Sequence, residues 1–514
     1  RDAAAVEAAF AAAAEALGGL TLAFLYAGAG RVAPLARYAP EEVARLVDVN
    51  LIGTCNGLRA AVPRLLASGR LRDRRGPRDR RRAVAGGRRD RRGDAAGAGA
   101  GGRGPAPAAT RYRPMVPDDD PSAGCPPPEL ERLDLARLRR RRGEKWGLYP
   151  PDVLPAWVAE MDFPLAAPIR RVLEDALEAD DLGYPINPRP QDLPTVFAER
   201  MAERFGWRID PHRVEVLTDV VQGIYVVLDR FAAPGEGVVV QTPVYPPFLH
   251  AVRDTGRRLV ENPLVEGASR WEMDLDGLRA AAGPATRVLL LCHPQNPTGR
   301  VFERRELEAL AELALRGGWV VVSDEIHADL VHPGARHVPF ATLAPEVEAR
   351  TITLTSATKA FNIPGLRCAV AHFGSAALRE RFLSLPRHIR GGIGSLGLHA
   401  TAAAWRASQP WLDAVRAQLA ANRDFVADFV RTALPGVGHR RPEATFLAWL
   451  DCRGLGLGPS PQRFFLERAR VALSAGEAFG RPGQGFVRLN FGTSRALLGE
   501  ILERMAKALR ERGA

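Results

Sequence analysis

The chain has 514 residues, of which 46% are hydrophobic, 25% charged and 7% aromatic, a globular composition that excludes a collagen-like or wholly disordered chain. Its five cysteines, Cys55, Cys125, Cys292, Cys368 and Cys452, stand far apart with no Cys-x-x-Cys pair, which argues against a disulfide framework or zinc ribbon and fits a reducing, cytoplasmic setting. The formal net charge is +12, but 21 of the 71 basic residues and only 10 of the 59 acidic ones lie in residues 1–114, which leaves 50 and 49 for the rest. The basicity therefore belongs to one end and is not a folded face for nucleic acid. No apolar run approaches the about 20 residues that cross a bilayer, and the start lacks a basic segment followed by an apolar core, so a soluble protein without membrane partners is expected.

Leu20 to Tyr26 is a short apolar run between Gly18-Gly19 and Gly28, a buried-strand pattern, and Glu41 to Leu66 has helical apolar spacing interrupted at Gly53. The stretches Leu22 to Gly30 and Val47 to Gly53, with Asn50, resemble the Asn-Ala-Gly and Val-Asn segments of short-chain dehydrogenases. This resemblance covers about residues 5–70 and implies a partial Rossmann-like fragment over residues 1–70. That family needs a glycine-rich nucleotide turn and a Tyr-x-x-x-Lys pair. The first lysine of the chain is Lys145, and no lysine has a tyrosine four residues before it. Gly99, Gly101 and Gly104 match Gly-x-Gly-x-x-Gly but lie in low-complexity sequence ahead of Pro105. A residual NAD(P) oxidoreductase fragment is thus only a lesser alternative.

Residues 71–114 read as a disordered Arg/Gly/Ala-rich linker: eleven Arg lie between Arg72 and Arg92, followed by an Ala-Gly-Pro tract from Ala95 to Ala109. No aromatic interleaves these arginines to stack on bases, so a nucleic-acid partner is not expected. All eight Trp and all ten His follow residue 114, and the first methionine is Met115. A self-contained protein of 400 residues beginning at or near Met115, with a separate piece joined in front, is the expectation.

Within residues 115–514, short apolar runs alternate with helical stretches from about Pro150, as in a doubly wound α/β protein. Val238 to Gln241, Val288 to Cys292, Val320 to Ser323 and Thr351 to Leu354 read as strands, and Glu303 to Leu315 and Asp413 to Thr432 as helices. Val214 to Thr218 is expected to give way to a further helix. Ligands gather at the carboxyl ends of such strands. There the sequence places Tyr245, Asn296, Asp324 with His327, and Ser356 with Lys359. Only three lysines exist, Lys145, Lys359 and Lys507. Lys507 reads as a solvated helix face and Lys145 as part of a loop-like region, which leaves Lys359 for any chemistry that needs an amine in the crevice. Metal catalysis has little support, since no His-Glu-x-x-His occurs and His327, His332 and His337 recur at fives on what begins as a helix and becomes a loop at Pro333. No glycine directly precedes a lysine, so a Walker loop is absent as well.

Seven motifs carry a second resemblance: Trp157 to Phe163, Gly183-Tyr184, Gln241 to Phe248, His293 to Gly299, Ser323 to Asp329, Ser356 to Arg367, and Val487 to Gly492. In this order, with 28 residues from Asn296 to Asp324 and 35 from Asp324 to Lys359, they resemble pyridoxal-phosphate enzymes of the aspartate-aminotransferase fold. They are closer to the carbon-sulfur β-lyases of the MalY/PatB type, which act on cystathionine or cysteine S-conjugates. The implied fold is PLP-dependent transferase fold type I, with a large doubly wound domain over about residues 160–400 and a small α/β domain over about 130–160 plus 401–514. The implied cofactor is pyridoxal 5'-phosphate.

By this resemblance Lys359 bonds the cofactor and then serves as the Cα base, Asp324 faces the pyridine nitrogen, Asn296 donates to the phenolic oxygen, and Tyr245 stacks on the ring. Ser356, Arg367 and the backbone of Val221 and Gln222 would hold the phosphate, Arg488 would grip the substrate carboxylate, and Tyr184 would reach the cofactor of a neighbouring subunit in a homodimer. His327 stands where many aminotransferases carry tyrosine. Glu160 departs from the aspartate usual in the Trp-Val-Ala-Asp-Met-Asp-Phe signature. Several of these residues also have purely structural alternatives: a helix N-cap for Asp324, a turn before Pro297 for Asn296, core packing for Tyr245, an exposed strand arginine for Arg488 and a satisfied structural histidine for His327. The implied reaction is α,β-elimination of a cysteine thioether to a thiol, pyruvate and ammonia. Its rivals are amino transfer on the same site and a non-enzymatic regulatory role.

Overall fold

The computed structural model describes residue 130 and residues 132–185, 193–458 and 460–513. The expected strand over residues 20–26, the helix over 41–66 and the linker over 71–114 lie outside them. All described residues fall within Ala108–Ala514, one of the two compact units of the chain.

Seven strands form the main sheet: β1 (Val214–Leu217), β2 (Gly237–Thr242), β3 (Arg258–Pro263), β4 (Thr286–Cys292), β5 (Val320–Asp324), β6 (Thr351–Thr355) and β7 (Ala369–Phe373). Their spatial order is β1-β7-β6-β5-β4-β2-β3. From β6 to β3 the neighbours run parallel, and β7 is antiparallel to both β6 and β1. Parallel strands joined by helical crossovers are covered on both faces, which is why they read as unbroken apolar runs. Val238, Val240, Val288, Leu290 and Val322 pack into one core, and the alternate residues Val239, Leu289, Leu291 and Val321 into the other. The covering helices read as amphipathic for the same reason. In Arg304–Arg316 the buried residues Leu307, Leu310, Ala311 and Ala314 fall at helical spacing, and Glu303 with Glu306 forms a capping box.

A second, four-stranded antiparallel sheet comprises β8 (Gly438–His439), β9 (Leu447–Asp451), β10 (Ser474–Ala475) and β11 (Phe486–Asn490), in the order β8-β9-β11-β10. Its inner face, with Ala448, Leu450, Val487 and Leu489, shares a core with the helices Gln409–Ala433 and Arg495–Gly513. Leu154–Pro155 pairs in parallel with Val471–Ala472 and ties the chain ahead of the main sheet to this part. The domain division expected near residue 400 falls inside the helix Ser395–Ala407.

Two local expectations are corrected. Lys145 lies in a short helix, Glu144–Gly147, and is 2% exposed, where a loop was expected. After His327 only a single 3-10 turn forms, Ala328–Leu330, because Pro333 cannot extend a helix and Gly334 turns the backbone left-handed at φ 96.

Candidate active site

Parallel strands deliver their carboxyl ends to one edge, so four sequence-predicted residues converge. Tyr245 follows β2, Asn296 follows β4, Asp324 ends β5, and Lys359 sits in the short helix Ala357–Ala360 just after β6. Arg488 arrives from β11 of the second sheet. Its Nη1 donates to Asn296 Oδ1 at 2.9 Å, and its Nη2 donates to the Trp157 carbonyl at 3.0 Å and to Ser474 Oγ at 3.1 Å. At 4% exposure Arg488 is no surface arginine. Its guanidinium also lies 4.8 Å from the Phe479 ring centroid.

Burial sets the proton chemistry of this edge. Desolvation, then the nearby Arg488 charge, lowers the Lys359 amine to about 8, with Glu160 and Asp324 pulling the other way. The same desolvation raises the Asp324 carboxyl to about 7, opposed by its hydrogen bond from the Ile326 backbone N–H at 3.1 Å and by Lys359. Asp324 is not a helix N-cap: that place before the 3-10 turn belongs to His327. The His327 ring is 2% exposed, and burial followed by the Lys359 and Arg488 charges pushes it down to about 3, so it is neutral. Its Nδ1 has no hydrogen-bond partner among the described residues. Tyr245 is raised by burial, with Arg488 opposing.

The segment Trp157 to Phe163 forms the opposite wall, and side chains from several elements hold its backbone. Lys359 Nζ donates to the Ala159 carbonyl at 2.8 Å. Asn490 Nδ2 donates to the Val158 and Glu160 carbonyls at 2.6 and 2.7 Å, and Asn362 bonds both the N–H and the carbonyl of Met161 at 2.9 Å. Lys145 Nζ donates to the Glu160 carbonyl and pairs with Asp162 Oδ2, each at 2.9 Å, while Trp146 Nε1 donates to Asp162 Oδ1 at 2.7 Å. Lys145, Asn362 and Asn490 were missed as parts of the site. The scarcity of lysine was the available signal for Lys145; Asn362 and Asn490 lie inside the motifs Ser356 to Arg367 and Val487 to Gly492, but partners some 200 and 330 positions away in sequence hid their roles.

The remaining expected residues lie around the helix Val220–Phe231. Asp219 caps it, with Oδ1 accepting from the Gln222 N–H at 2.8 Å and Oδ2 paired with Arg367 Nη1 at 2.7 Å. Ser356 Oγ lies 2.5 Å from the Cys368 carbonyl and 2.9 Å from Thr358 Oγ1, and caps its own short helix. Tyr184 stands apart, fully exposed. His332 Nε2 lies 2.8 Å from the Thr445 carbonyl and His337 Nε2 lies 2.8 Å from Glu325 Oε2, so these two histidines face different partners. No group of three or more metal-ligating side chains occurs among the described residues.

The family model for aminotransferase class I and II matches residues 161–505. The chain belongs to this family. Cystathionine beta-lyase PatB of Bacillus subtilis (strain 168) is 36% identical over 383 residues, covering 74% of this chain and 98% of PatB. The crystal structure of OvoB superposes with a TM-score of 0.70 at 40% identity, over 74% of this chain and 98% of OvoB. Cystalysin from Treponema denticola, solved with a pyridoxal 5'-phosphate cofactor, gives 0.69 at 29% identity, over 73% of this chain and 97% of its own.

Proposed function

We propose that this protein is a pyridoxal 5'-phosphate-dependent carbon-sulfur β-lyase that eliminates the thiol from a cysteine thioether such as cystathionine, giving pyruvate and ammonia. The observation that carries the reading is a buried amine lowered to about 8, Lys359, sharing one strand-end edge with the buried carboxyl Asp324 and the arginine Arg488. The choice of elimination over amino transfer draws support from the cystathionine beta-lyase name of PatB and from the Asp-Glu-Ile-His run at Asp324.

The side chains fit the cofactor. Asp324 makes one hydrogen bond, to the Ile326 N–H, and keeps acceptor capacity for a protonated ring nitrogen. The start of helix Val220–Phe231 and Arg367 offer amides and a guanidinium for a phosphate, and Tyr245 supplies a ring face. When bound, pyridoxal phosphate supplies the sink for the electron pair left on Cα. Lys359 would hold the cofactor through Nζ and, with substrate in place, would take the Cα proton at that same atom. A lysine lowered to about 8 has enough neutral amine near pH 7 to do both. Arg488 clamps the substrate carboxylate and so fixes which Cα bond lies within reach of Nζ. Neutral His327 contributes no competing positive charge beside that amine.

The reading includes a cytoplasmic homodimer. Fully exposed Tyr184 and 56% exposed Leu182 favour a neighbouring subunit there. No helix among the described residues is long and apolar enough to cross a membrane. The test follows pyruvate and free thiol together from cystathionine with the full chain. Equal amounts, both abolished by Lys359→Ala, are expected. Amino transfer to an added keto acid without thiol release would keep the site and refute the reaction, and activity retained after Lys359→Ala would refute an enzymatic role for that residue.

A further inference from the structure

The carboxylate of Asp219 occupies two donors that a phosphate would need. One oxygen takes the Gln222 backbone N–H at 2.8 Å, and the other takes Arg367 Nη1 at 2.7 Å. Arg367 makes this contact from a left-handed backbone, φ 43, at the end of the turn Pro364–Leu366. A non-glycine residue held there is costly unless its surroundings impose it. The ion pair is partly screened, with side chains 68% and 28% exposed, so it is exchangeable rather than locked. The neighbouring backbone is fixed independently of Asp219: Thr218 Oγ1 donates to the Gly392 carbonyl at 2.8 Å and Gln222 Nε2 to the Ile389 carbonyl at 3.2 Å.

We propose that Asp219 is a built-in stand-in for the cofactor phosphate: it holds the helix amide and the Arg367 guanidinium in place when cofactor is absent, and competes with the phosphate for both when cofactor arrives. The inference rests on the phosphate placement proposed above. Its consequence is that this chain holds the cofactor less tightly than its cradle allows. A phosphate entering near Asp219 must displace a carboxylate from one amide and one guanidinium and then sit beside a like charge.

The test uses the full chain stripped of cofactor. Asp219→Asn keeps a good N-cap while removing the charge, and Asp219→Ser is a second, equally capable cap. Pyridoxal phosphate is titrated by absorbance, and its release rate is measured by dilution into a scavenger. Inorganic phosphate alone is then titrated by the shift in melting temperature. The inference requires that both variants bind the cofactor about tenfold more tightly, release it more slowly and gain more from inorganic phosphate than the parent, while Arg367→Ala binds the cofactor more weakly. Binding by both Asp219 variants equal to or weaker than the parent, with Arg367→Ala weakened, would overturn the stand-in role and leave the phosphate placement intact. Unchanged binding in all three would overturn both.

Discussion

Asp324→Asn should make the cofactor-free protein more stable at neutral and alkaline pH, even though it damages the site. Asp324 is 5% exposed, and burial raises its carboxyl from 3.8 to about 7. A group raised in the folded state binds more protons there than in the unfolded chain between those two values, so stability falls as pH climbs from about 4 to about 7 and stays reduced above. At 1.36 kcal/mol per unit, the cost is between about 1 and 2 kcal/mol at pH 5 and about 4 kcal/mol at pH 8. The Asn amide oxygen can still accept the Ile326 N–H, so the substitution removes the charge and keeps the turn. Urea unfolding of the stripped parent and variant at the two pH values measures the difference. The variant should gain, and its advantage should grow by about 3 kcal/mol from pH 5 to pH 8. A variant less stable than the parent at pH 8, or an advantage independent of pH, would refute the claim that an unfavourably buried charge is held at this position.

Lys359, lowered from 10.5 to about 8 by burial, should capture added pyridoxal phosphate at a rate that climbs as pH rises through about 8 and levels above it, as stopped-flow absorbance would reveal. A rate still rising tenfold per unit at pH 10 would contradict that value. Arg488→Lys cannot serve Asn296, the Trp157 carbonyl and Ser474 from one ammonium, and kcat/KM for cystathionine should drop about a hundredfold. Lys145→Ala strands Asp162 in a pair whose side chains are 2% and 1% exposed and should cost about 3 to 5 kcal/mol in urea unfolding. The double variant Lys145→Met with Asp162→Leu should cost less than the single one.

Much of the fold was legible because parallel strands buried on both faces must be apolar throughout. The runs at 238–241, 288–292, 320–323 and 351–354 each lengthen by a residue or two at most into β2, β4, β5 and β6. Residues at the ends of those strands were legible too, since a shared sheet edge brings them together wherever they lie in sequence. Asp219 was not: an aspartate before a helix reads as an ordinary cap, and only the fold brings Arg367, 148 positions later, against it.

The sequence by itself determined the four central parallel strands, β2, β4, β5 and β6, the order of the chemical residues at their ends and the one lysine among them, because strand burial and strand-end position are local consequences of pattern; the edge strand β3 and the antiparallel β7 it did not announce. The tertiary structure alone decided the charge states and the walls. Burial brings Lys359 and Asp324 within about one unit of each other near neutrality, and the backbone of residues 157–163 is held by Lys145, Asn362, Asn490 and Arg488 from distant elements. Desolvation and long-range hydrogen bonding depend on what the rest of the chain packs around a group, and no local pattern encodes that.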